Sequence, residues 1–259
     1  MITSNQNKMI KELRGLLSSS RKRKEAQRFV IEGVRLAEEA LQEHWPLQVA
    51  LYSETLNERG LALINHLADA GVAREECTPE ILASLSDTQH SQGIMLLAAA
   101  HKLPEPTPLD FVLIFDEIQD PGNMGSLMRS AMAAGVQSLW LSPGCVDPTS
   151  PKVLRSAMGA HFRLPLREMD WPQIQIELEQ HNLNCIVSDV NGGVDFRQAD
   201  FQTPCALILG NEARGAGEKA QTLAQQRVNI PMQAATESIN AAAAGAILLF
   251  EIAHQKGLV

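Results

Sequence analysis

The chain has 259 residues, of which 45% are hydrophobic and 20% charged, a balance typical of a soluble globular protein with one or two domains. No apolar run is long enough to span a membrane, and the polar, basic N-terminus lacks the apolar segment of a signal peptide. The seven histidines lack metal-ligand spacing, and the four cysteines are too scattered for a disulfide framework. We therefore expect a cytoplasmic protein with buried thiols, no metal ion and no membrane partner.

Positive charge is concentrated at the N-terminus. Residues 1–30 carry eight Lys or Arg and two Glu, whereas the whole chain has a net charge of −8. An acidic protein with one basic arm is typical of a localised phosphate contact rather than of general binding to polyanions. We predict a basic loop that contacts nucleic acid, formed by Arg21, Lys22, Arg23 and Lys24. The alternative is a solvated helix face followed by a flexible loop.

Residues 1–101 have the pattern of a small α/β unit. The predicted helices are 5–17, 35–42 and 58–70, and the predicted strands are 29–31, 47–52 and 92–99. The next segment has a proline at every second residue, which excludes a helix or a central strand. These residues are Pro104, Pro106 and Pro108. We expect residues 102–108 to be a stiff, extended linker to a second domain at 109–259.

Residues 109–259 alternate short apolar runs with helical patterns. The strand candidates are 111–115, 138–141, 185–188, 206–209 and 228–230, and the last predicted helix is Asn240–His254. Such alternation is typical of a parallel sheet covered by helices on both faces. The last helix is apolar almost all round, so we expect one face to pack on the sheet and another on a second copy of the chain.

The segment Asp116–Gly135 combines a strand end, a turn and a helix. Asp120–Asn123 supplies turn residues, and the following helix has apolar residues at the spacing of one buried face. Arg129 lies off that face, one helical turn after the small residues Gly125 and Ser126. Open α/β sheets bind ligands at such strand ends, although an ordinary surface arginine would have the same pattern.

Three further stretches carry candidate functional residues. Lys152 and Arg155 are three residues apart and share one face of a predicted helix, as residues of a solvated face also would. An apolar strand runs into the glycine-rich bend 210–217, which is either a ligand-binding loop or a plain turn. Ser238 and Asn240 precede an alanine-rich helix that both residues could simply cap.

A dinucleotide-binding turn is the competing interpretation of one of these stretches. Gly215–Ala220 has the pattern G-x-G-x-x-A shortly after a strand. That pattern needs an acidic residue at the end of the next strand to hold the ribose, and here the strand ends at Ile230–Met232 without one. We therefore reject a dinucleotide site.

Three motifs, in order, resemble those of the SpoU (TrmH-like) branch of the SPOUT RNA methyltransferases. They are D-P-G-N-x-G-x-x-x-R at Asp120–Arg129, L-G-N-E-x-x-G at Leu209–Gly215, and I-P-M followed by E-S-I-N-A-A-A-A at Ile230–Ala244. The segment 152–160 resembles a further stretch of the family, and residues 1–101 more loosely resemble the substrate-binding domain of rRNA-modifying members. Two departures, Ala213 for the usual glycine and Ile239 for the usual leucine, remove no functional group.

The resemblance implies a knotted (trefoil) parallel-sheet methyltransferase domain, a homodimer, S-adenosylmethionine as methyl donor and a ribose 2′-hydroxyl of structured RNA as acceptor. Because the N-terminal domain looks like a ribosomal-protein RNA-binding fold, rRNA is favoured over tRNA. By position, the resemblance assigns catalytic roles to Asn123, Arg129, Glu212, Ser238 and Asn240, and cofactor contacts to Leu209, Gly210, Ile230, Met232 and Ile239. We expect RNA contacts at Arg21, Lys22, Arg23, Lys24, Lys152 and Arg155. Since glycine lets a backbone approach a ligand closely, Gly210→Val is expected to exclude the cofactor.

Elementary chemistry qualifies the role of Arg129. A guanidinium stays protonated in proteins, so we expect Arg129 to stabilise the developing alkoxide and the adjacent phosphate. The proton acceptor would be water, a phosphate oxygen or Glu212, and Glu212 could instead orient Arg129. A catalytically silent RNA-binding protein is a rival function, which intact Arg129, Asn123 and Asn240 disfavour. An α/β enzyme acting on a small molecule is a second rival, which the basic arm disfavours.

Overall fold

The computed structural model describes residues 1–86, 91–190, 192–233 and 238–259, which form two compact units. The N-terminal unit comprises Met1–His101 and Thr149–Phe162, and the C-terminal unit comprises Lys102–Pro148 and Arg163–Val259. The break after His101 lies where the proline-rich stretch begins. Nothing in the sequence pattern predicts that residues 149–162 group with the N-terminal unit.

Helices and strands alternate along most of the chain. The helices are α1 (Lys8–Ser18), α2 (Ser20–Ala26), α3 (Val34–Gln42), α4 (Glu58–Asp69), α5 (Pro79–Ala83), α6 (Pro121–Ala133), α7 (Pro151–Ala157), α8 (Trp171–Gln180), α9 (Glu218–Leu223) and α10 (Ala241–Gln255). The strands are β1 (Arg28–Glu32), β2 (Leu47–Tyr52), β3 (Ala73–Glu76), β4 (Ile94–Ala99), β5 (Phe111–Phe115), β6 (Ser138–Leu141), β7 (Leu166–Glu168), β8 (Asn184–Ser188), β9 (Val194–Asp195), β10 (Cys205–Leu209) and β11 (Gln226–Asn229).

The N-terminal unit contains a four-stranded sheet in the order β1-β4-β2-β3, in which β4 is antiparallel to both neighbours and β3 is parallel to β2. Its core packs Ile10 and Leu13 of α1 against Val30, Leu51 and Leu97 of three strands. Strand β2 has the bounds predicted from the sequence. Strand β3 was not predicted because its four residues, A-R-E-E, are all exposed and show no apolar alternation.

The predicted basic loop is wrong, because these residues form α2. The Ser19 hydroxyl caps the helix by accepting a hydrogen bond from the backbone N–H of Lys22 at 3.3 Å. Arg23 is only 6% exposed, and its guanidinium donates to the carbonyl oxygen of Leu16 at 2.5 Å. Arg23 therefore satisfies a carbonyl that the end of α1 leaves without an intrahelical partner.

The C-terminal unit contains a seven-stranded sheet in the order β7-β6-β5-β10-β8-β11-β9, in which every pair of neighbours is parallel. The predicted parallel sheet is confirmed. Strands β7 and β9 were not predicted because they are short edge strands of three and two residues. The chain leaves β5 towards β6 on one side and leaves β10 towards β11 on the other. The β5–β10 boundary is thus a topological switch point, where open α/β sheets bind ligands.

Helix α6 begins earlier than predicted, at Pro121, so most of the expected turn is its first helical turn. Asp120 is the N-cap, and its carboxylate accepts a hydrogen bond from the backbone N–H of Asn123 at 2.7 Å. The predicted apolar face, including Met124, Leu127 and Met128, is buried.

Helix α10 packs closely on the unit with one face and leaves another uncovered. A Cβ atom on Gly245 would lie 2.3 Å from Leu127 Cδ2 and 2.7 Å from Leu209 Cδ1, so glycine permits close contact with α6 and β10. Ile247 and Phe250 are 40% and 43% exposed. The helix is therefore not buried all round within one chain.

The proline-rich stretch has no helix or strand and is attached to the C-terminal unit by Glu105. The Glu105 carboxylate accepts hydrogen bonds from Ser138 Oγ, from Trp140 Nε1 at 3.2 Å and from Arg167 at 3.0 Å. All four cysteines are free thiols, and three of them are buried. No α-helix in the described ranges combines the length and hydropathy of a transmembrane segment.

Candidate active site

Two loops meet at the carboxyl ends of β5 and β10, and a buried carboxylate joins them. Asp116 is 3% exposed, and it accepts hydrogen bonds from the backbone N–H of Gly217 at 2.7 Å and from Ser142 Oγ at 3.2 Å. Burial raises the pKa of Asp116, and the two hydrogen bonds oppose that shift. Asp116 thereby fixes the far end of the 210–217 loop against β5.

Asn211 makes a second connection between the same loops. It is 8% exposed, and its amide nitrogen donates to the carbonyl oxygen of Glu117 at 2.8 Å. Its side-chain oxygen accepts from the backbone N–H groups of Ala213 at 3.0 Å and Arg214 at 3.2 Å. Sequence analysis missed Asp116 and Asn211 as structural residues. Asp116 directly follows the buried strand β5, and Asn211 comes two residues after the buried strand β10. A polar side chain at such a position needs a hydrogen-bond partner.

Gly210 is required by the protein itself. A Cβ atom at this position would lie 2.1 Å from the backbone nitrogen of Ala216 and 2.3 Å from the carbonyl carbon of Gly215. Any side chain would therefore force the loop open even without a ligand. Gly210→Val, expected to exclude the cofactor directly, disrupts the loop first and is not a specific test of binding.

Side chains from all three motifs form a hydrogen-bonded chain, Asn240–Asn123–Glu212. The Asn240 oxygen caps α10 by accepting from Ala242 N at 2.9 Å and Ala243 N at 3.2 Å. Its amide nitrogen is left to donate to Asn123 Oδ1 at 3.0 Å, and Asn123 Nδ2 then donates to Glu212 Oε1 at 3.3 Å. The helix cap therefore fixes the direction of every hydrogen bond in the chain.

Glu212 is engaged by the loop before α6. It also accepts from Asp120 N at 3.0 Å and from Gln119 N at 3.3 Å. Three donors therefore face this carboxylate, two of them backbone N–H groups of the loop before α6. No contact within the described residues joins Glu212 to Arg129. The structure shows Glu212 bound to the loop before α6, and its predicted catalytic role stays a prediction.

Arg129 is exposed on α6, the helix that also carries Asn123. In the part of the chain that the structure describes, it makes no hydrogen bond or ion pair. A guanidinium with its donors unoccupied can bind an anion in a bidentate manner. Helix α6 thus carries both Asn123 and a cation that can bind an anion.

The remaining predicted residues of this site lie at the same edge of the sheet. Leu209 is buried at the end of β10, and Ile230 and Met232, both half-buried, follow β11. Ser238 and Ile239 are exposed just before α10, and residues 234–237 lie outside the described residues. No group of three or more possible metal ligands occurs among the described residues.

The predicted RNA-binding residues fall into two groups. The exposed ones are Arg21, Lys22, Lys24 and Lys152. Arg155 forms an ion pair with the buried carboxylate of Glu32 at 3.5 Å, and Arg23 is buried against α1. Arg23 is removed from the predicted RNA contacts because it is buried, whereas Arg155, with a side chain 30% exposed and paired with Glu32, stays a prediction.

Comparison with known proteins identifies the family. Residues 110–250, more than half of the chain, match the model of the SpoU rRNA Methylase family. The chain belongs to this family. Residues 7–96 match the model of the MRM3-like substrate binding domain. The SpoU family predicted from the three motifs is therefore confirmed.

Individual relatives match this SpoU family member along nearly its whole length. An uncharacterized tRNA/rRNA methyltransferase of Synechocystis is 31% identical, over 98% of this chain and 94% of the relative. A 23S rRNA (guanosine(2553)-2′-O)-methyltransferase of Bacillus subtilis is 30% identical, over 97% of this chain and 98% of the relative. The crystal structure of the SpoU methyltransferase AviRb from Streptomyces viridochromogenes in complex with AdoMet has a TM-score of 0.90 and 27% identity, covering 97% of this chain and 98% of that chain.

Asn123→Asp tests the direction of the hydrogen-bonded chain. The substitution places a second carboxylate opposite Glu212 Oε1, 3.3 Å from the atom replaced. Two ionised carboxylates repel, so folding raises the pKa of the pair and stability is lost as pH rises. We expect a lower urea midpoint than wild type at about pH 7, with a smaller loss at about pH 4, where carboxylates are partly protonated. Ser126→Asp adds the same charge to an exposed position of α6 and is the control. If both variants lose the same stability at both pH values, the hydrogen bond from Asn123 to Glu212 is contradicted.

Proposed function

We propose that this SpoU family member uses S-adenosylmethionine to methylate a ribose 2′-hydroxyl of rRNA. The observation that carries the proposal is the Asn240–Asn123–Glu212 chain at the β5–β10 switch point, on a helix that also presents Arg129. Relatives named as rRNA 2′-O-methyltransferases support the same activity, and rRNA is favoured over tRNA. The cytoplasm is the proposed location.

The residues at the carboxyl edge of the sheet fit S-adenosylmethionine. Leu209, Ile230 and Met232 are apolar residues at or just after the ends of β10 and β11, next to loop backbone, and Ile239, just before α10, is 37% exposed. Such a mixture of apolar surface and backbone hydrogen-bonding groups suits an adenine ring. When bound, the cofactor supplies a methyl group on a positively charged sulfur. Asp116 and Asn211 hold the 210–217 loop in place for this contact.

The chain's own residues then position the acceptor and stabilise charge. Arg129 binds the phosphate beside the target ribose and stabilises the alkoxide as the hydroxyl loses its proton. Asn123 and Asn240 keep α6 and α10 in register, and Glu212 fixes the loop from which α6 starts. The proposed proton acceptor is a water molecule or a phosphate oxygen, since Glu212 already accepts three hydrogen bonds from Asn123 and the loop before α6. Much of the rate comes from alignment of the reacting groups.

The proposed domains are 1–101 for RNA binding, 102–108 as a linker and 109–259 for methyl transfer. The match of residues 7–96 to a substrate binding domain supports the first. The exposed cations Arg21, Lys22 and Lys24 are proposed to contact RNA phosphates, together with Lys152.

A trefoil knot and a homodimer complete the proposal. In the sheet, β8 lies between β10 and β11. After β11 the polypeptide nevertheless returns to the other side of β8, where α10 packs on α6 and β10. This return path supports the knot that the family resemblance implies. The exposed side chains of Ile247 and Phe250 support a two-fold contact between α10 helices, because an uncovered apolar stripe favours burial against a second copy.

Arg129→Ala tests the catalytic assignment. We expect a folded protein with nearly normal affinity for S-adenosylmethionine and a loss of about 100-fold or more in methyl transfer to rRNA, because one electrostatic stabiliser is removed. Arg129→Lys should rescue poorly, since an ammonium cannot make a planar bidentate contact. Single-turnover kinetics and calorimetry measure the two effects. Near-normal turnover in either variant places catalysis elsewhere.

Phe250→Asp tests the proposed dimer. A charge in the uncovered face of α10 cannot be buried at little cost, so light scattering should show a dimer for wild type and a monomer for the variant. Leu61→Asp is the matched control, since Leu61 is 48% exposed on α4, compared with 43% for Phe250. A monomeric wild-type protein at micromolar concentration excludes the dimer.

Replacing Arg21, Lys22 and Lys24 together with Gln tests the basic arm. RNA affinity should fall, and its salt dependence should flatten by about 0.7 for each phosphate that is no longer neutralised. Affinity for S-adenosylmethionine should not change. Arg23→Gln is the control, because a buried residue that bonds Leu16 should lower thermal stability and leave the salt slope intact. If the salt dependence of RNA affinity is unchanged in the triple variant, the basic arm does not contact the RNA.

A further inference from the structure

The mouth of the β5–β10 crevice is acidic, although the proposed substrate is a polyanion. Segments 116–129 and 209–217 together carry four carboxylates and two guanidinium groups. The carboxylates are Asp116, Glu117, Asp120 and Glu212, and the cations are Arg129 and Arg214. An RNA strand approaching this crevice needs both cations, because Coulomb repulsion from the acids would otherwise disfavour its phosphates.

Arg214 is paired with Glu117 across the two loops. Arg214 Nη2 lies 2.5 Å from Glu117 Oε2, with the two side chains 66% and 44% exposed. Exposed ion pairs of this kind contribute little to stability, because water screens them and two side chains must be ordered. The pair can therefore be exchanged for another anion at small cost.

The backbone of Glu117 is fixed, whereas its partner Arg214 is a long, exposed side chain. Glu117 has a φ of +54°, a left-handed conformation that is unfavourable for a side chain of this kind. Its backbone N–H donates to Ser142 Oγ at 3.3 Å, and its carbonyl oxygen accepts from Asn211 Nδ2 at 2.8 Å. Surroundings that maintain an unfavourable backbone are typical of functional sites. The backbone from which the carboxylate projects is thus held in place.

We propose that Arg214 is a second phosphate-binding residue of the substrate site, and that Glu117 holds its guanidinium ready until a phosphodiester of the RNA replaces the carboxylate. This inference rests on the proposed RNA methyltransferase function. The backbone N–H of Arg214 donates to the Asn211 side chain at 3.2 Å, which anchors the main chain while the guanidinium changes partner. Arg129 on α6 and Arg214 on the 210–217 loop then both bind phosphates of the RNA.

Two substitutions at the same ion pair distinguish this exchange from a static contact. Arg214→Gln should weaken binding of full-length, unmodified rRNA transcripts about tenfold at low salt and reduce the salt slope by about 0.7 to 1. Glu117→Gln removes the internal competitor, so RNA affinity should be equal to or higher than that of wild type. If the pair is only structural, both substitutions break the same contact and should lower RNA affinity together.

Arg197→Gln is the matched control. Arg197 forms an equivalent pair with Asp195, at 2.5 Å and with 64% of the arginine side chain exposed, near the edge strand β9. The Arg197→Gln substitution removes the same charge from the same unit, so its effect on RNA affinity measures general electrostatics. RNA affinity lowered equally by Arg197→Gln and Arg214→Gln overturns the proposal.

Cofactor binding separates the remaining outcomes. Calorimetry with S-adenosylmethionine should give the same affinity for wild type, Arg214→Gln and Glu117→Gln. A parallel loss of cofactor affinity in Arg214→Gln means that the loop has collapsed, and this result overturns the phosphate role. Wild-type protein that binds S-adenosylmethionine but methylates no rRNA transcript contradicts the proposed function itself, whatever the variants do.

Discussion

The direction of hydrogen bonding at Asn240 is the constraint on which the site depends. Its side-chain oxygen caps α10, so its amide nitrogen faces Asn123 as a donor. Asn123 must then accept with its oxygen and donate with its nitrogen, which requires an acceptor at Glu212. A helix cap, which serves stability, thereby orients polar side chains that belong to three separate segments of the chain.

The loops around this chain are shaped by the protein itself before any ligand binds. Asp116 and Asn211 are nearly inaccessible polar groups, and each makes one hydrogen bond to the backbone of the opposite loop. Gly210 leaves no space for a side chain because the loop returns against it. Fixed loops lower the entropy lost on binding and favour a reaction that depends on alignment. The stable framework and the reactive groups are therefore parts of one hydrogen-bonded structure.

The sheet and the position of the site could be predicted, but most of the partners could not. Strands β5 and β10 are continuous apolar runs that end in polar or glycine residues, whereas β3, β7 and β9 have no such run. The motifs located Asn123, Glu212 and Asn240, but their hydrogen bonds span 89 and 117 residues and have no local signal. The same limit explains why the burial of Arg23 was not predicted. A run of charged residues has no periodicity to show which member packs against the end of α1. Charge alone therefore does not reveal that Arg23 is buried.

Ribose methylation mapped across all rRNA and tRNA, in cells with and without this protein, tests the central claim most directly. A 2′-O-methyl group at a defined rRNA nucleotide should disappear when the protein is absent. It should return when the wild-type chain is restored, but not when Arg129→Ala is supplied. An rRNA methylation pattern that is the same with and without the protein, or a change confined to tRNA, would contradict the account.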